Sequence, residues 1–264
     1  MSLTHRFPIS LRELEVLDVE DISPRLRRVT LGGPQMGAFE RQGHPQPPLQ
    51  SLGPDDHVKL FFPDPDTGIL SLPDQLSDHL HWPQDPPAVS REYTPRSHDP
   101  AGGTLALEFV LHGHGIAGTW AAQAQVGQHL FVAGPKKSAL ISPADWYLLA
   151  GDETALPAIA NWLEMLPQDA AVRALILVED EAAIIPLAAP RDADIRWHVT
   201  DHADAGLLTQ LLSATPLPAG DGFIWAGAER EAIATLRNHL SELQFPKDRF
   251  HVTSYWHKDD AAGD

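Results

Sequence analysis

The stretch Trp146-Tyr-Leu-Leu-Ala-Gly-Asp-Glu-Thr-Ala-Leu-Pro-Ala158 decides the fold class of this chain. Its first five residues form a short apolar run that ends at Gly151, as expected of a buried strand. The apolar spacing of residues 154–166 predicts a helix immediately after that strand. A buried strand followed at once by a helix is the repeating unit of a parallel sheet covered by helices.

The same alternation continues to the C-terminal end of the sequence. Further strands are predicted at residues 174–178, 195–199, 222–226 and 250–256, and further helices at residues 207–212 and 229–243. The last helix has one apolar face, made of Ala232, Ile233, Leu236, Leu240 and Leu243. These elements predict an α/β domain with a parallel sheet and helices on both faces.

The N-terminal half has a different pattern of apolar and turn-forming residues. Short strands punctuated by Gly and Pro are predicted at residues 14–19, 26–31, 57–62 and 104–111. This spacing is typical of an antiparallel barrel or sandwich. Residues 32–55 are interpreted as a loop, and residues 63–90 as a loop that includes one helical turn. The change of texture near residues 141–144 predicts two domains, 1–142 and 143–264.

The amino-acid composition limits the kinds of site and partner that this chain can have. The 264 residues contain no cysteine, which excludes disulfides, thiolate nucleophiles and cysteine-held zinc or iron–sulfur sites. A chain that moves electrons must then use a cofactor that it can bind without thiolates. The net charge of −17 disfavours nucleic acid and anionic membrane surfaces as partners. No apolar run is long enough to span a membrane and no secretory signal is visible, so a cytoplasmic location is expected.

The segment Arg91-Glu-Tyr-Thr-Pro-Arg96 is the first candidate binding motif. On a strand, Arg91 and Tyr93 are two residues apart and therefore share a face. A guanidinium can bind a diphosphate bidentately, a tyrosine ring can lie against a flavin, and the Thr94 hydroxyl or amide can reach a flavin nitrogen. The alternative is an exposed strand whose tyrosine covers the core.

The second motif is His112-Gly-His-Gly-Ile-Ala-Gly-Thr-Trp120, which follows a predicted strand. Its three glycines let the backbone approach a ligand closely, and Thr119 at the start of a helix offers hydroxyl and amide donors for a phosphate. The alternative is a strand–turn–helix connection whose glycines only make the bend. His112 and His114 have no third ligand nearby in the sequence, so no metal site is expected.

Two further segments carry polar residues at predicted strand ends. In residues 127–138 a predicted strand is followed by a loop that contains Lys136 and Lys137, which are candidates for binding an anionic ligand. The alternative is that both lysines lie in an ordinary solvated turn. In the other segment Gly151 ends a parallel strand and Thr154 can cap the next helix, while Asp152 and Glu153 can be simple helix-start charges. Ligands of parallel sheets bind at such carboxyl ends, but no Gly-x-Gly-x-x-Gly fingerprint is present.

Taken in order, these motifs resemble the siderophore-interacting proteins. The resemblance rests on Arg-x-Tyr-Thr, His-Gly-x-Gly-x-Ala-x-x-Trp, Ala-Gly-Pro, Ala-Gly-Asp-Glu-Thr-Ala-Leu-Pro-Ala and a terminal Tyr-Trp, and it covers nearly the whole chain. It implies a six-stranded antiparallel FAD barrel followed by an α/β pyridine-nucleotide domain, as in ferredoxin-NADP reductases. It also implies a monomeric, cytoplasmic flavoprotein that reduces Fe(III) in ferric siderophores, with FAD relaying electrons from NADH, NADPH or ferredoxin.

The resemblance also implies the residues of the site, with no catalytic side chain, because the flavin performs the chemistry. The FAD residues would be Arg91, Tyr93, Thr94, His112, Gly115, Ala117, Thr119, Trp120, Tyr255 and Trp256. The NAD(P)H side would be lined by Gly151, Asp152, Glu153, Thr154, Ala155, Pro157, Trp225, Gly227 and Glu229. The anionic ferric siderophore would be received by Lys59, Lys136, Lys137 and Lys258.

Two departures from the family pattern bear on the choice of electron donor and of chelate. Asn161 stands where the family often has an arginine for a nucleotide phosphate, which leaves NADH, NADPH and other donors open. The basic run after Tyr-Trp is reduced to His257-Lys258 and then turns acidic, which favours a less anionic chelate such as a hydroxamate. The rival functions are a general flavin or quinone reductase and a siderophore carrier that reduces nothing.

Overall fold

The chain consists of two compact units in a computed structural model that describes residues 3–113, 115–200 and 204–258. By their contacts, Thr4–Ile22 and Leu26–Leu140 form the barrel unit. The α/β unit consists of Met1–Leu3, Ser23–Arg25 and Ile141–Asp264.

The barrel unit is built mainly from strands. They are β1 (Thr4–Arg6), β2 (Leu11–Ser23), β3 (Leu26–Gly32), β4 (Phe39–Arg41), β5 (His44–Gln46), β6 (Val58–Phe62), β7 (Asp74–Gln75), β8 (Leu80–His81), β9 (Val89–Tyr93), β10 (Pro95–Asp99), β11 (Thr104–Val110), β12 (His129–Ala133) and β13 (Lys137–Ala139). Its helical segments are the 3₁₀ turn Pro34–Met36 and helix α1 (Ile116–Gln123).

The main sheet of the barrel unit has seven strands in the order β10-β11-β3-β2-β12-β6-β9. Its two outermost strands, β9 and β10, are consecutive in the chain and separated only by Thr94. One bent strand therefore pairs with β6 through its first half and with β11 through its second, and the sheet closes on itself. Pro95 has no backbone N–H to donate, and the register shifts between Pro95 and Ser97. The predicted antiparallel barrel is confirmed, but its sheet has seven strands rather than the predicted six, because the break at Thr94 divides one bent strand into β9 and β10.

Alternate residues of the barrel strands fill its core. Val58, Leu60 and Phe62 of β6 point into the same cluster as Leu107 and Phe109 of β11. This period-two burial is what places the intervening residues of β6 on the other face of the sheet.

The α/β unit alternates strands and helices. Its strands are β14 (Trp146–Gly151), β15 (Ala171–Val178), β16 (Asp194–Val199), β17 (Gly222–Glu229) and β18 (Phe250–Trp256). Its helices are α2 (Leu156–Met165), α3 (Leu207–Ser213) and α4 (Arg230–Glu242), with 3₁₀ turns at Glu153–Ala155 and Glu181–Ala183.

These five strands form one parallel sheet in the order β16-β15-β14-β17-β18. Leu148 and Ala150 of β14 pack in one cluster with residues of α3 and α4. Tyr147 faces the opposite way, with its ring 6.2 Å from that of Trp162 in α2. Helices therefore cover both faces, and the predicted α/β class is confirmed.

Several local predictions were wrong. The helix predicted from residue 154 begins with the 3₁₀ turn Glu153–Ala155, and α2 itself spans Leu156–Met165. Helix α4 ends at Glu242 because Gln244 adopts a left-handed φ of 54°, which leaves Leu243 outside the apolar face and 54% exposed.

The loops of the barrel unit also contain more structure than predicted. Residues 63–90 contain the short strands β7 and β8, and the predicted single helical turn is present as an isolated α-turn in which the Gly68 amide donates to the Asp64 carbonyl at 2.8 Å. Strands β1 and β13 were not predicted. They pair with each other and place Lys137 opposite Arg6, in a strand rather than in a loop.

Among residues 3–113, 115–200 and 204–258, no helix is long and apolar enough to cross a lipid bilayer.

Candidate functional site

The barrel unit presents Arg91 and Tyr93 on one face of β9, as the sequence predicted. Their cross-strand partners, Leu60 and Val58, belong to the barrel core, so both side chains lean toward that core. The Tyr93 ring lies 4.4 Å from the ring of Phe109, centroid to centroid. Burial raises the pKa of the Tyr93 hydroxyl. Thr94, at the strand break, is buried. We call the surface around Arg91 and Tyr93 the Arg91 face.

Helix α1 adds a second side to the Arg91 face. The Trp120 ring lies 5.7 Å from the Phe109 ring, centroid to centroid, and packs against the same core as Tyr93, and Ala117 of α1 is buried in that core. Tyr93, Phe109 and Trp120 therefore form one aromatic cluster. The His112 ring lies near the backbone of Gly118, where an added Cβ would come 3.7 Å from the ring.

Gly113 and Gly115 precede α1. Gly115 caps the helix with a φ of 77°, a left-handed conformation that strongly favours glycine. A Cβ built at Gly113 would meet no atom within 4 Å, so space borders this turn. The prediction that Thr119 starts the helix was wrong, because α1 begins at Ile116. The Thr119 amide is already used, donating to the Gly115 carbonyl at 2.9 Å.

The predicted substrate lysines are differently placed. Lys59 alternates with Val58 and Leu60, so it lies on the face of the sheet opposite to Arg91 and Tyr93. Its Nζ is 2.5 Å from Oε1 of Glu92. Lys136 and Lys137 are exposed next to the end of β12, whose Ala133 pairs with Lys59. Lys258, partly exposed, belongs to the α/β unit.

In the α/β unit, Asp152 is a hydrogen-bond centre at the carboxyl ends of three strands. Its side chain is almost fully buried, with 3% of the residue exposed. Oδ1 accepts from the Thr154 amide at 2.9 Å and from the Thr154 hydroxyl at 2.5 Å. Oδ2 accepts from the Glu229 amide at 3.0 Å and from the indole Nε1 of Trp256 at 2.9 Å. Asp152, and not Thr154 as predicted, caps the turn that follows β14.

The neighbouring carboxylates are equally engaged. Glu229 is buried and caps α4 through the amides of Glu231 and Ala232. Glu153 is buried, accepts from the Glu179 amide at 2.6 Å and lies 3.4 Å from Nε of Arg25. Together with Asp152, these carboxylates stabilise the strand ends through hydrogen bonds. The alternative that Asp152 and Glu153 are only charges at the start of a helix is therefore too simple.

Glycine lets the strand ends approach one another closely. Gly151 of β14 and Gly227 of β17 are paired residues. A Cβ at Gly151 would come 2.5 Å from the Gly227 carbonyl and 2.8 Å from Ala155. A Cβ at Gly227 would come 2.8 Å from the Tyr255 ring. These two glycines therefore serve packing. We call the region of Gly151, Asp152, Gly227, Glu229 and Trp256 the strand-end edge.

The other predicted nucleotide-side residues surround this edge. Trp225 is fully buried, 6.4 Å from the Trp162 ring and 6.2 Å from the Tyr255 ring. Ala155 and Pro157 are buried and Thr154 is partly exposed. Asn161, which replaces the arginine of the family pattern, is buried within α2, so its position does not project into solvent.

Two residues beside Lys59 were not predicted to belong to the site. Glu92 lies within the Arg91 motif but was given no role, and Trp82 was not considered. Lys59 and Glu92 are 33 residues apart, so only the register of β6 against β9 could have paired them.

In the described part of the chain, no three His, Asp or Glu side chains are grouped as a metal site requires. His112 is exposed, and His114 lies outside the described residues.

The two units together define the class of the protein. An antiparallel barrel followed in the chain by a five-stranded parallel sheet is the fold of ferredoxin-reductase-like proteins. A ferredoxin reductase of carbazole 1,9a-dioxygenase has a TM-score of 0.66 and 18% identity over 94% of this chain and 69% of its own. At that identity the likeness shows the fold alone.

Closer relatives define the family. The chain matches the siderophore-interacting FAD-binding domain over residues 15–139 and the siderophore-interacting protein family over residues 144–259. It is 35% identical to the NADPH-dependent ferric-chelate reductase of Escherichia coli (strain K12), over 97% of this chain and 99% of that protein. The structure of a siderophore utilization protein from T. fusca has a TM-score of 0.88 and 39% identity, covering 98% of this chain and 97% of the other. The chain belongs to the siderophore-interacting protein family.

Proposed function

We propose that this protein is an FAD-dependent reductase of ferric siderophores that takes its electrons from NADPH or NADH. The observation that carries the proposal is the Arg91 face: a guanidinium and a tyrosine on one side of β9, next to an open glycine turn that leads into α1. This face lies in the segment that matches the siderophore-interacting FAD-binding domain. The name of the Escherichia coli relative supports ferric-chelate reduction and NADPH as donor.

The residues of the Arg91 face fit FAD. Arg91 supplies the bidentate cation that a diphosphate requires. The first amides of α1 have no partner inside the helix and follow a glycine turn bordered by space, which suits a phosphate oxygen. Tyr93 and Trp120 offer aromatic surface for a flavin ring, held in place by Phe109. In this proposal residues 1–142 form the FAD-binding domain, and His112, Gly115 and Thr119 border the turn.

The α/β unit supplies the nucleotide side, and in this proposal residues 143–264 form the NAD(P)H-binding domain. The carboxyl ends of β14 and β17 are where parallel sheets bind ligands. Asp152, Glu153 and Glu229 hold these ends in place through buried hydrogen bonds, so their role is to shape the site. The partly exposed Thr154 is the group at this edge proposed to contact NAD(P)H, whereas the partly exposed Tyr255 and Trp256 of the C-terminal segment are proposed to contact FAD.

The chemistry that FAD supplies when bound is acceptance of two electrons as a hydride from NAD(P)H and their delivery, one at a time, to two Fe(III) centres. The chain then needs no acid, base or nucleophile. Its own tasks are to hold the flavin and to receive the chelate. Lys59, Lys136, Lys137 and Lys258 are the cations proposed for the chelate, and their charge stands out in a chain of net charge −17.

The proposal includes a cytoplasmic, monomeric protein, with ferredoxin as the second donor to test. Light scattering on a sizing column measures the mass directly, and a dimer contradicts the monomer.

The test is an anaerobic absorbance experiment on the purified protein. We expect a flavin spectrum that bleaches with NADPH or NADH and returns when ferric siderophore is added. Bleaching without recovery, together with rapid quinone turnover, would identify a general quinone reductase. A flavin that stays oxidised with NADH, NADPH and reduced ferredoxin would identify a carrier.

A further inference from the structure

Lys59 does not carry its charge alone. It lies directly opposite Glu92 in the antiparallel pair β6–β9, and Nζ is 2.5 Å from Oε1. The side chains are 33% and 52% exposed, so a ligand in solution can reach the pair. Both residues are on the face of the sheet opposite to Arg91 and Tyr93.

An aromatic surface borders this ion pair. The Trp82 ring centroid is 5.9 Å from Nζ of Lys59, and the same ring lies 5.6 Å from the ring of Phe61. Trp82 is partly exposed and His57 is exposed. We call the four residues His57, Lys59, Trp82 and Glu92 the Lys59 patch. It combines one cation, one anion, a neutral ring and an imidazole.

The charge of Glu92 opposes that of Lys59 within the Lys59 patch. Partial burial acts to raise the pKa of Glu92, but the hydrogen bond from Lys59 and the nearby His57 and Lys59 outweigh it and lower that pKa. Glu92 is therefore ionised and offsets Lys59. A chelate with a large negative charge is therefore repelled by Glu92 at short range and by the net charge of −17 of the whole chain at long range.

We propose that Glu92 sets the charge preference of the chelate site, so that the enzyme favours ferric chelates without net charge over trianionic ones. Three hydroxamate groups, each with one negative charge, neutralise Fe(III). Three catecholates, each with two, leave a charge of −3. A neutral hydroxamate chelate can lay its apolar arms on Trp82 and accept a hydrogen bond from Lys59 without separating Lys59 from Glu92. This inference rests on the proposed function, because it takes Lys59 as part of the chelate site.

The test compares Glu92→Gln with Glu20→Gln, which makes the same change in net charge at an exposed partner of Arg28 in the barrel unit. For each variant kcat/KM is measured with a ferric trihydroxamate and with a ferric tris-catecholate. We expect Glu92→Gln to raise kcat/KM for the tris-catecholate by about five-fold at low salt, because a like charge is removed near Lys59. The trihydroxamate value should change less than about two-fold, and the gain should shrink as salt is added.

Lys59→Gln should act in the opposite direction and lower kcat/KM for the tris-catecholate. Equal effects of Glu92→Gln on both chelates, or an effect no larger than that of Glu20→Gln, would overturn the proposal. Calorimetric binding of the same two chelates to the FAD-loaded variants separates this inference from the proposed function. If wild-type protein reduces neither chelate, the proposed function fails, while a binding preference that Glu92→Gln alters still supports the role of Glu92.

Discussion

The strand-end edge of the α/β unit and the Arg91 face of the barrel unit both combine glycines, charged side chains and aromatic side chains. They differ in how far these groups are already engaged by contacts inside the protein. At the strand-end edge, the Asp152 carboxylate accepts four hydrogen bonds, and neither Gly151 nor Gly227 has room for a Cβ. At the Arg91 face, Tyr93 is partly exposed and the backbone at Gly113 borders open space.

The difference separates support from binding. Polar groups whose hydrogen bonds are all made inside the protein hold strand ends in place, whereas groups beside open space are available to a ligand. Substitutions at the strand-end edge should therefore act first on stability, and substitutions at the Arg91 face on cofactor binding.

The largest effect is expected at Asp152. Asp152→Ala removes the acceptor for the Thr154 and Glu229 amides and for the Trp256 indole, and leaves the Glu229 amide without its acceptor in a buried site and the other two donors in a partly buried one. We expect a loss of about 3 kcal/mol, seen as a fall of roughly 8 °C in the Tm of thermal unfolding. Asp152→Asn keeps one acceptor oxygen and should lose about half as much. An unchanged Tm for both variants would show that Asp152 is not a support.

A somewhat smaller effect is expected at Gly151. Gly151→Ala places a methyl group 2.5 Å from the Gly227 carbonyl and 2.8 Å from Ala155. Relieving this overlap should cost about 2 kcal/mol, measured by urea unfolding. Gly37→Ala is the matched control, because its new Cβ would lie 3.7 Å from its closest neighbour. Equal stability of the two variants would contradict a packing role for Gly151.

Arg91→Ala tests the other side of the comparison. Loss of the guanidinium should weaken FAD binding by about 2 kcal/mol, or roughly 30-fold in Kd, while the Tm of the FAD-free protein changes little. The measurement is a flavin titration followed by fluorescence, with Arg196→Ala, an exposed arginine of the α/β unit, as the control. If Arg91→Ala retains full flavin through purification, the placement of the diphosphate is wrong.

The smallest effect concerns Asp56, a buried carboxylate of the barrel unit. Its Oδ2 accepts from Ser51, Ser138 and backbone amides, but its Oδ1 has no partner, unlike either oxygen of Asp152. Burial raises the pKa of Asp56 despite these hydrogen bonds. The folded state thus holds the proton more tightly than the unfolded state does.

The pH dependence follows from that sign. Wild-type stability should fall relative to Asp56→Asn as the pH rises from the ordinary pKa of aspartate through the raised pKa in the folded state. Urea unfolding of both proteins across this acidic range measures the difference. A difference that does not vary with pH, or that changes in the opposite direction, would contradict a raised pKa.

The sequence predicted what depends on local pattern. Strand β14 could be predicted because it is a continuous run of apolar residues, which is typical of a strand that is buried on both faces of a parallel sheet. In the structure all six of its residues are buried. The shared face of Arg91 and Tyr93 follows from the period of two in a strand. The start of α1 was misplaced by three residues because the left-handed cap falls on Gly115, one of three glycines that are equivalent in the sequence.

Contacts between distant residues could not be predicted. Asp152 and Trp256 are 104 residues apart, and they meet only because β14, β17 and β18 end at the same edge of the sheet. The same holds for Lys59 and Glu92, whose pairing depends on one strand register: a shift of one residue would turn Glu92 to the other face.

The most direct test of the central claim is an anaerobic count of Fe(II) produced per NADPH consumed. The FAD-loaded protein is mixed with a ferric trihydroxamate siderophore, Fe(II) is trapped with a coloured ferrous chelator, and NADPH oxidation is followed in the same cuvette. A hydride carries two electrons and each Fe(III) accepts one, so the account predicts about two Fe(II) per NADPH, with Arg91→Ala inactive until excess FAD is added. NADPH oxidation without Fe(II), or Fe(II) formation that needs no flavin, would contradict it.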